Sequence, residues 1–115
     1  KGLWHSFAEN ARSHVFNMCS IASFTAYAAG GSYSISKFAL LGFSKSLRLE
    51  GQDKGIRVTS VMPGATLTDS WAGVDLPESR FMKPMDVAEA IYAAWSINQT
   101  TVMEEVVLRP ILGDI

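Results

Sequence analysis

Hydrophobic positions along the chain fall into short blocks that change period. Leu3, Trp4, Phe7 and Ala8 share one helical face, which predicts the closing turns of an amphipathic helix over residues 3–11 that begins before residue 1. The run HVFNMC over residues 14–19 is short and largely apolar, as in a buried strand. Residues 20–32 are rich in Ser, Ala and Gly and read as a loop with Gly30-Gly31 as its flexible end. A long helix is predicted from residue 33 to about 53. Leu40, Leu41, Phe43, Leu47 and Leu49 spread around more than one of its faces, so it packs between two partners, such as its own sheet and a neighbouring subunit. Gly55 is its stop. IRVTSVM over residues 56–62 is β-branched and apolar, hence a strand, and Pro63-Gly64 ends it. Residues 65–83 show no period and read as a long loop or short helix, a type of segment that often serves as a lid. A new helix starts near Pro84, with Asp86 in its first turn and Val87, Ala88, Ile91, Ala94 and Trp95 at helical spacing. Residues 102–108 form the last strand.

Alternation of this kind implies an α/β fold with right-handed crossovers and a parallel sheet covered by helices on both faces. Repeats, low-complexity stretches and linkers are absent from the sequence. The 115 residues are 48% hydrophobic and 18% charged, an ordinary globular composition, and long enough for one domain with a sizeable core. Ten Lys+Arg against eleven Asp+Glu give a net charge of −1, which argues against a nucleic-acid or anionic-membrane binder. No apolar stretch reaches the roughly 18 residues of a membrane span. KGLWHSFAEN lacks the apolar core of a signal peptide. Cys19 is the only cysteine, so no internal disulfide forms, and a reducing, cytoplasmic setting is expected.

In an open parallel sheet, ligands bind beyond the carboxyl ends of the strands. Ser20 follows the first strand and Pro63-Gly64-Ala65-Thr66-Leu67-Thr68 follows the second. The helix between them opens with Tyr33-Ser34-Ile35-Ser36-Lys37. Tyr33 and Lys37, four apart, share a helical face. A free phenol ionises near pH 10, and a cation at about 4 Å offers roughly 4 kcal/mol toward the phenolate at an effective dielectric of about 20. Such a phenol can give or take a proton at a substrate oxygen. Taken alone, a Tyr/Lys pair at this spacing is common solvated helix surface. Cys19, at a buried strand end, reads as packing rather than nucleophile. His5 and His14 have no metal-ligand spacing, so no metal site is expected. Trp71 and Phe81 either line a pocket for an apolar substrate or close the core.

The combination is more specific than the pair. Asn17-Met18-Cys19-Ser20, Ser20 thirteen residues before Tyr33, the Tyr33 to Lys37 motif and the Pro63 to Thr68 stretch together resemble the short-chain dehydrogenase/reductase family over nearly the whole chain. Glu104 to Pro110 looks like the ends of its bacterial carbonyl- and sepiapterin-reductase-like members. The resemblance implies an NAD(P)-dependent oxidoreductase, with NADP favoured, that interconverts a carbonyl and a secondary alcohol. Ser20 would polarise the substrate oxygen. Tyr33 would be the general acid or base, and Lys37 would lower its pKa and bind the nicotinamide ribose. Pro63, Gly64, Thr66 and Thr68 would meet the nicotinamide carboxamide or pyrophosphate. Ser23, ten residues before Tyr33, is at the wrong distance for the family's serine, and Tyr27 has no lysine four positions on. Relatives pair two helices with a second subunit, so a homodimer or homotetramer is expected.

The family's glycine-rich cofactor turn, which holds the pyrophosphate after the first strand of the fold, has no counterpart in this sequence, and Gly30-Gly31 lacks its spacing. Residues 1–115 are therefore expected to form a single partial domain, the C-terminal half of a Rossmann-type doubly wound parallel sheet. In isolation that half would be inactive. If it were the native product, a non-catalytic assembly module would be the better account.

Overall fold

The computed structural model describes residues 13–21 and 31–115. The helix expected over residues 3–11 and most of the loop over 20–32, with Ser23 and Tyr27, lie outside the described residues. The described elements are β1 (His14–Met18), α1 (Gly31–Gln52), β2 (Arg57–Pro63), α2 (Pro84–Ser96) and β3 (Glu105–Leu108). The strands form one parallel sheet in the order β1-β2-β3. Met18 lies level with Val61, and Pro63 with Leu108. The α/β class with a parallel sheet is thus as expected from the alternating periods.

β2 is the centre. Its first six residues are all buried, the near-continuous apolar pattern of a strand covered on both faces. Successive side chains alternate between faces. Val61 packs with Met82 and Val87, flanked by Phe16, Ile91 and Leu108, so this face is covered by α2. Asn17, of opposite parity to Phe16, points to α1: its amide donates to the Ser44 hydroxyl at 2.7 Å, which donates in turn to the Leu40 carbonyl at 2.9 Å. The two helices therefore lie on opposite faces. Ser44 is buried, whereas Ile35, Phe38, Phe43 and Leu49 of α1 are exposed. This is the two-sided pattern read from the sequence, with one side on the sheet and the other uncovered by any described residue.

Helix ends follow their local chemistry. α1 stops at Gln52, and Gly55 turns the chain with φ 72°, a region that favours glycine. α2 begins with Pro84, and the Asp86 carboxylate accepts the Lys83 N–H at 3.0 Å. At its other end the buried Arg57 guanidinium donates to the carbonyls of Trp95 (3.3 Å) and Ile97 (3.4 Å), placing a cation on the negative end of the helix. β3 is shorter than expected. The Asn98 side chain accepts the Thr100 N–H at 2.9 Å and its carbonyl accepts the Thr101 N–H at 2.9 Å. That turn uses up the chain, and pairing to β2 starts only where Ser60 N–H meets the Glu104 carbonyl.

Residues 65–83 fold as two single 3-10 turns, Asp69–Trp71 and Glu78–Arg80. Their two ends are joined by a parallel bridge, Thr66 to Met82, with Met82 N–H on the Ala65 carbonyl (3.0 Å) and Leu67 N–H on the Met82 carbonyl (2.9 Å).

Candidate active site

The β1–β2 ladder continues one residue past Met18, because Cys19 N–H donates to the Val61 carbonyl at 2.7 Å. That contact carries Ser20 to the carboxyl end of β1, level with Pro63 where β2 ends. Helix α1 starts at Gly31, so Tyr33 falls in its first turn, where the crossover returns to this same end of the sheet. A cavity of about 620 Å³ results, a size that suits a small ligand. Ser20, Tyr33, Pro63, Gly64, Thr66 and Thr68 all line it. Tyr33 is 56% exposed.

Lys37 stands one helical turn behind and is not on the lining. Its ammonium donates to the Met18 carbonyl at 3.3 Å and lies 5.6 Å from the centroid of the Tyr33 ring. The lysine thus sits between the end of β1 and the phenol, within the distance at which a cation feels an aromatic face. The Asn17–Ser44 hydrogen bond fixes this helix against β1 two turns further on.

The Pro63 to Thr68 turn is held from below. Gly64 N–H donates to the Leu108 carbonyl at 2.7 Å, and a Cβ on Gly64 would stand 3.3 Å from that oxygen and 3.4 Å from Pro110 Cδ. Glycine is what permits this approach of β2 to the end of β3. The Thr66 hydroxyl donates to the Gly64 carbonyl at 3.1 Å, folding the turn onto itself. Thr68 precedes the first 3-10 turn, its carbonyl accepting the Trp71 N–H at 3.0 Å. Trp71 lines the cavity and Phe81 is buried, their rings edge to face at 5.1 Å. Lining a pocket and closing the core, the two roles open to these aromatics, are thus divided between them.

Further lining residues are not read as site residues from the sequence. Cys19 is buried as packing at a strand end, yet it also borders the cavity, as do Asp114 and Ile115. Cys19 stands within the Asn17 to Ser20 run and reads there as packing at a strand end. The tail residues belong to no motif and reach the cavity only through tertiary folding.

At the opposite end of the sheet His14 shares a 2.6 Å hydrogen bond with the Thr59 hydroxyl and stacks on Phe16 at 4.0 Å. Burial first, and then the Arg57 charge, push its imidazole down to about 4. Among the described residues no cluster of His, Cys, Asp and Glu could hold a metal ion, and no helix is long and apolar enough to cross a membrane.

Comparison with known proteins bears on this geometry. The chain is 36% identical over 103 residues to a sepiapterin reductase of Chlorobaculum tepidum, a match covering 89% of this chain and 42% of that protein. An alcohol dehydrogenase of the archaeon Thermococcus sibiricus, solved with 5-hydroxy-NADP, superposes with a TM-score of 0.84 at 22% identity, over 97% of this chain and 47% of that one. A metagenomic short-chain oxidoreductase solved with NADP superposes with a TM-score of 0.70 at 25% identity, over 90% and 41%. The chain thus spans less than half the length of these relatives, and the three strands among its described residues match part of their Rossmann-type fold. The family model described as short chain dehydrogenase matches residues 1–79. With that match and this arrangement of strand ends, the chain belongs to the short-chain dehydrogenase family.

Proposed function

We propose that residues 1–115 form the catalytic half of an NAD(P)-dependent oxidoreductase that interconverts a carbonyl and a secondary alcohol. The observation that carries this reading is the convergence of Ser20, Tyr33 and the Pro63 to Thr68 turn on one cavity, with Lys37 behind the phenol. Tyr33 gives a proton to the carbonyl oxygen in reduction and takes it back in oxidation. The Ser20 hydroxyl donates to that same oxygen as negative charge develops on it. Lys37 holds its positive charge 5.6 Å from the centre of the Tyr33 ring.

The residues present suit the nicotinamide end of a dinucleotide. Lys37 and Tyr33 would hold the ribose hydroxyls, and Pro63, Gly64, Thr66 and Thr68 the carboxamide and adjoining phosphate. When bound, the nicotinamide supplies or accepts the hydride. NADP is favoured, since the metagenomic relative was solved with it. The remaining cofactor contacts are assigned to sequence outside these 115 residues, because no glycine-rich turn of the family spacing lies within them.

Assembly as a homodimer or homotetramer is proposed from the exposed stripe of Ile35, Phe38, Phe43 and Leu49 on α1. The same stripe is what a non-catalytic assembly module would use. The single cysteine suits a cytoplasmic setting. The deciding experiment is Tyr33→Phe in the full-length protein, assayed for NADPH-dependent reduction of small ketones. Turnover should disappear while NADPH still binds. Undiminished turnover would rule out Tyr33 as the proton donor and with it this chemistry. Absence of turnover in the unaltered protein across a ketone panel would favour the module.

A further inference from the structure

The wall of the cavity formed by the tail is built by contacts that the family motifs do not include. After β3 the chain turns back: Gly113 N–H donates to the Pro110 carbonyl at 2.8 Å, and Gly113 sits at φ 93°. This turn aims Asp114 and Ile115 at the cavity. Two arginines hold it there. Arg109 Nε meets the Asp114 carboxylate at 3.1 Å from the strand side. From the other side comes Arg80, at the end of the second 3-10 turn, whose guanidinium donates to the carbonyls of Gly113 (3.5 Å) and Asp114 (3.3 Å). Arg80 lies two residues before Met82, the point where the loop over residues 65–83 is bridged to Thr66. One side chain thereby ties the tail to the same loop that carries Trp71 and Thr68, both on the lining.

Resting on the oxidoreductase reading, we propose that Arg80 is a positioning residue that sets substrate selectivity. It latches residues 113–115 to the 65–83 loop, so that Ile115 and Trp71 form one continuous wall of fixed width beside Tyr33. Two planar donors on two successive carbonyls suit an arginine, because the fork is rigid where a lysine offers a flexible point charge. Such a wall favours compact carbonyl substrates. A bulky ketone needs it to move, and the latch makes that movement costly.

The test uses the full-length enzyme and three variants, Arg80→Gln, Arg80→Lys and Gly113→Ala. Arg80→Gln shortens the reach from the loop, and Gly113→Ala strains the tail's own turn, so the latch is attacked from both sides. Selectivity is read as kcat/KM for a compact aliphatic ketone over that for an aryl ketone, and is expected to fall about tenfold in Arg80→Gln and in Gly113→Ala. The change should reside in KM, with Arg80→Lys falling between Arg80→Gln and the wild type. Amide hydrogen exchange over residues 111–115 without ligand should accelerate about tenfold in Arg80→Gln. Unchanged selectivity in both folded variants overturns the specificity role. Unchanged exchange overturns the latch itself, and it does so even if the protein proves to have no oxidoreductase activity. A variant that loses its fold is replaced in the comparison by the other side's substitution, which reports on the same contact.

Discussion

At the amino-terminal end of the sheet, His14, Thr59 and Arg57 turn toward one another and toward the carbonyls that close α2. At the carboxyl-terminal end, Ser20, Tyr33, Thr66 and Thr68 border a cavity. The residue types are alike, hydroxyls and ionisable rings beside a long cation, but their surroundings differ. Arg57 and Thr59 are buried, whereas Tyr33 is more than half exposed. The first group turns its hydrogen bonds inward, His14 through Nε2 alone with its Nδ1 buried and unpartnered, and the second leaves a phenol exposed beside a cavity. Parallel topology creates this asymmetry, since every strand delivers its carboxyl end to one side while the crossovers that follow open there. Polar chemistry at the two ends should therefore fail differently when removed.

The largest effect is expected at the cavity. Tyr33→Phe in the full-length protein should lower kcat by about a thousandfold or more, the scale of a lost general acid, with an unchanged unfolding midpoint. Arg57→Ala should do the reverse. It leaves the Trp95 and Ile97 carbonyls without their donor and removes a buried cation from the helix end, a loss of about 2–3 kcal/mol in stability. Denaturant unfolding checks it, and the remaining folded enzyme should keep its kcat. A large kcat defect in folded Arg57→Ala would erase the contrast between the two ends.

Much of this was legible beforehand because strands and helices declare themselves by period. The apolar run that became β1, the β-branched run that became β2, and the helix beginning at Pro84 all follow from side-chain spacing alone. The cavity residues were legible for a different reason: the end of a strand, the turn after the next strand and the first turn of the helix between them are local features that parallel topology brings together. What stayed hidden depends on partners distant in sequence. Ser44 shows no pattern that marks it as the buried contact for Asn17, 27 residues away. Arg80 lies in the stretch over residues 65–83 that shows no period, and its partner Gly113 comes from the tail, 33 residues on. The length of β3 depended on where the Asn98 turn released the chain, which no apolar count over residues 102–108 encodes.

A smaller effect should sharpen the comparison at the boundary between scaffold and cavity. Gly64 lines the cavity and also rests on β3, where an added Cβ would be 3.3 Å from a main-chain oxygen that cannot swing away. Gly64→Ala should cost about 1–2 kcal/mol, the range of modest overpacking, and should also weaken turnover because the Thr66 turn shifts with it. Paired unfolding and steady-state measurements would show both losses at once, unlike Tyr33→Phe or Arg57→Ala. A stability loss with intact turnover would assign Gly64 to the scaffold alone.

The smallest effect concerns His14 and its dependence on pH. Its folded imidazole ionises at about 4, against 6.5 for a free histidine. Between those values the unfolded chain binds a proton that the folded chain resists, so the unfolded state gains as pH falls. The contribution of neutral His14 is complete above pH 6.5 and is lost progressively as pH drops toward 4. The ring is partly accessible to solvent, which moderates the size of the loss. His14→Gln offers an uncharged amide that can still reach Thr59, and it has nothing to protonate. The fall in unfolding midpoint between about pH 7 and about pH 4.5 should therefore be smaller in His14→Gln than in the wild type, with the carboxylates common to both cancelling in the comparison. Its turnover at neutral pH should match the wild type, because His14 lies at the end of the sheet away from Tyr33. Superimposable midpoint curves would show that the imidazole titrates as freely in the folded protein as in the unfolded one, and the amino-terminal end would then not be the sealed counterpart of the cavity.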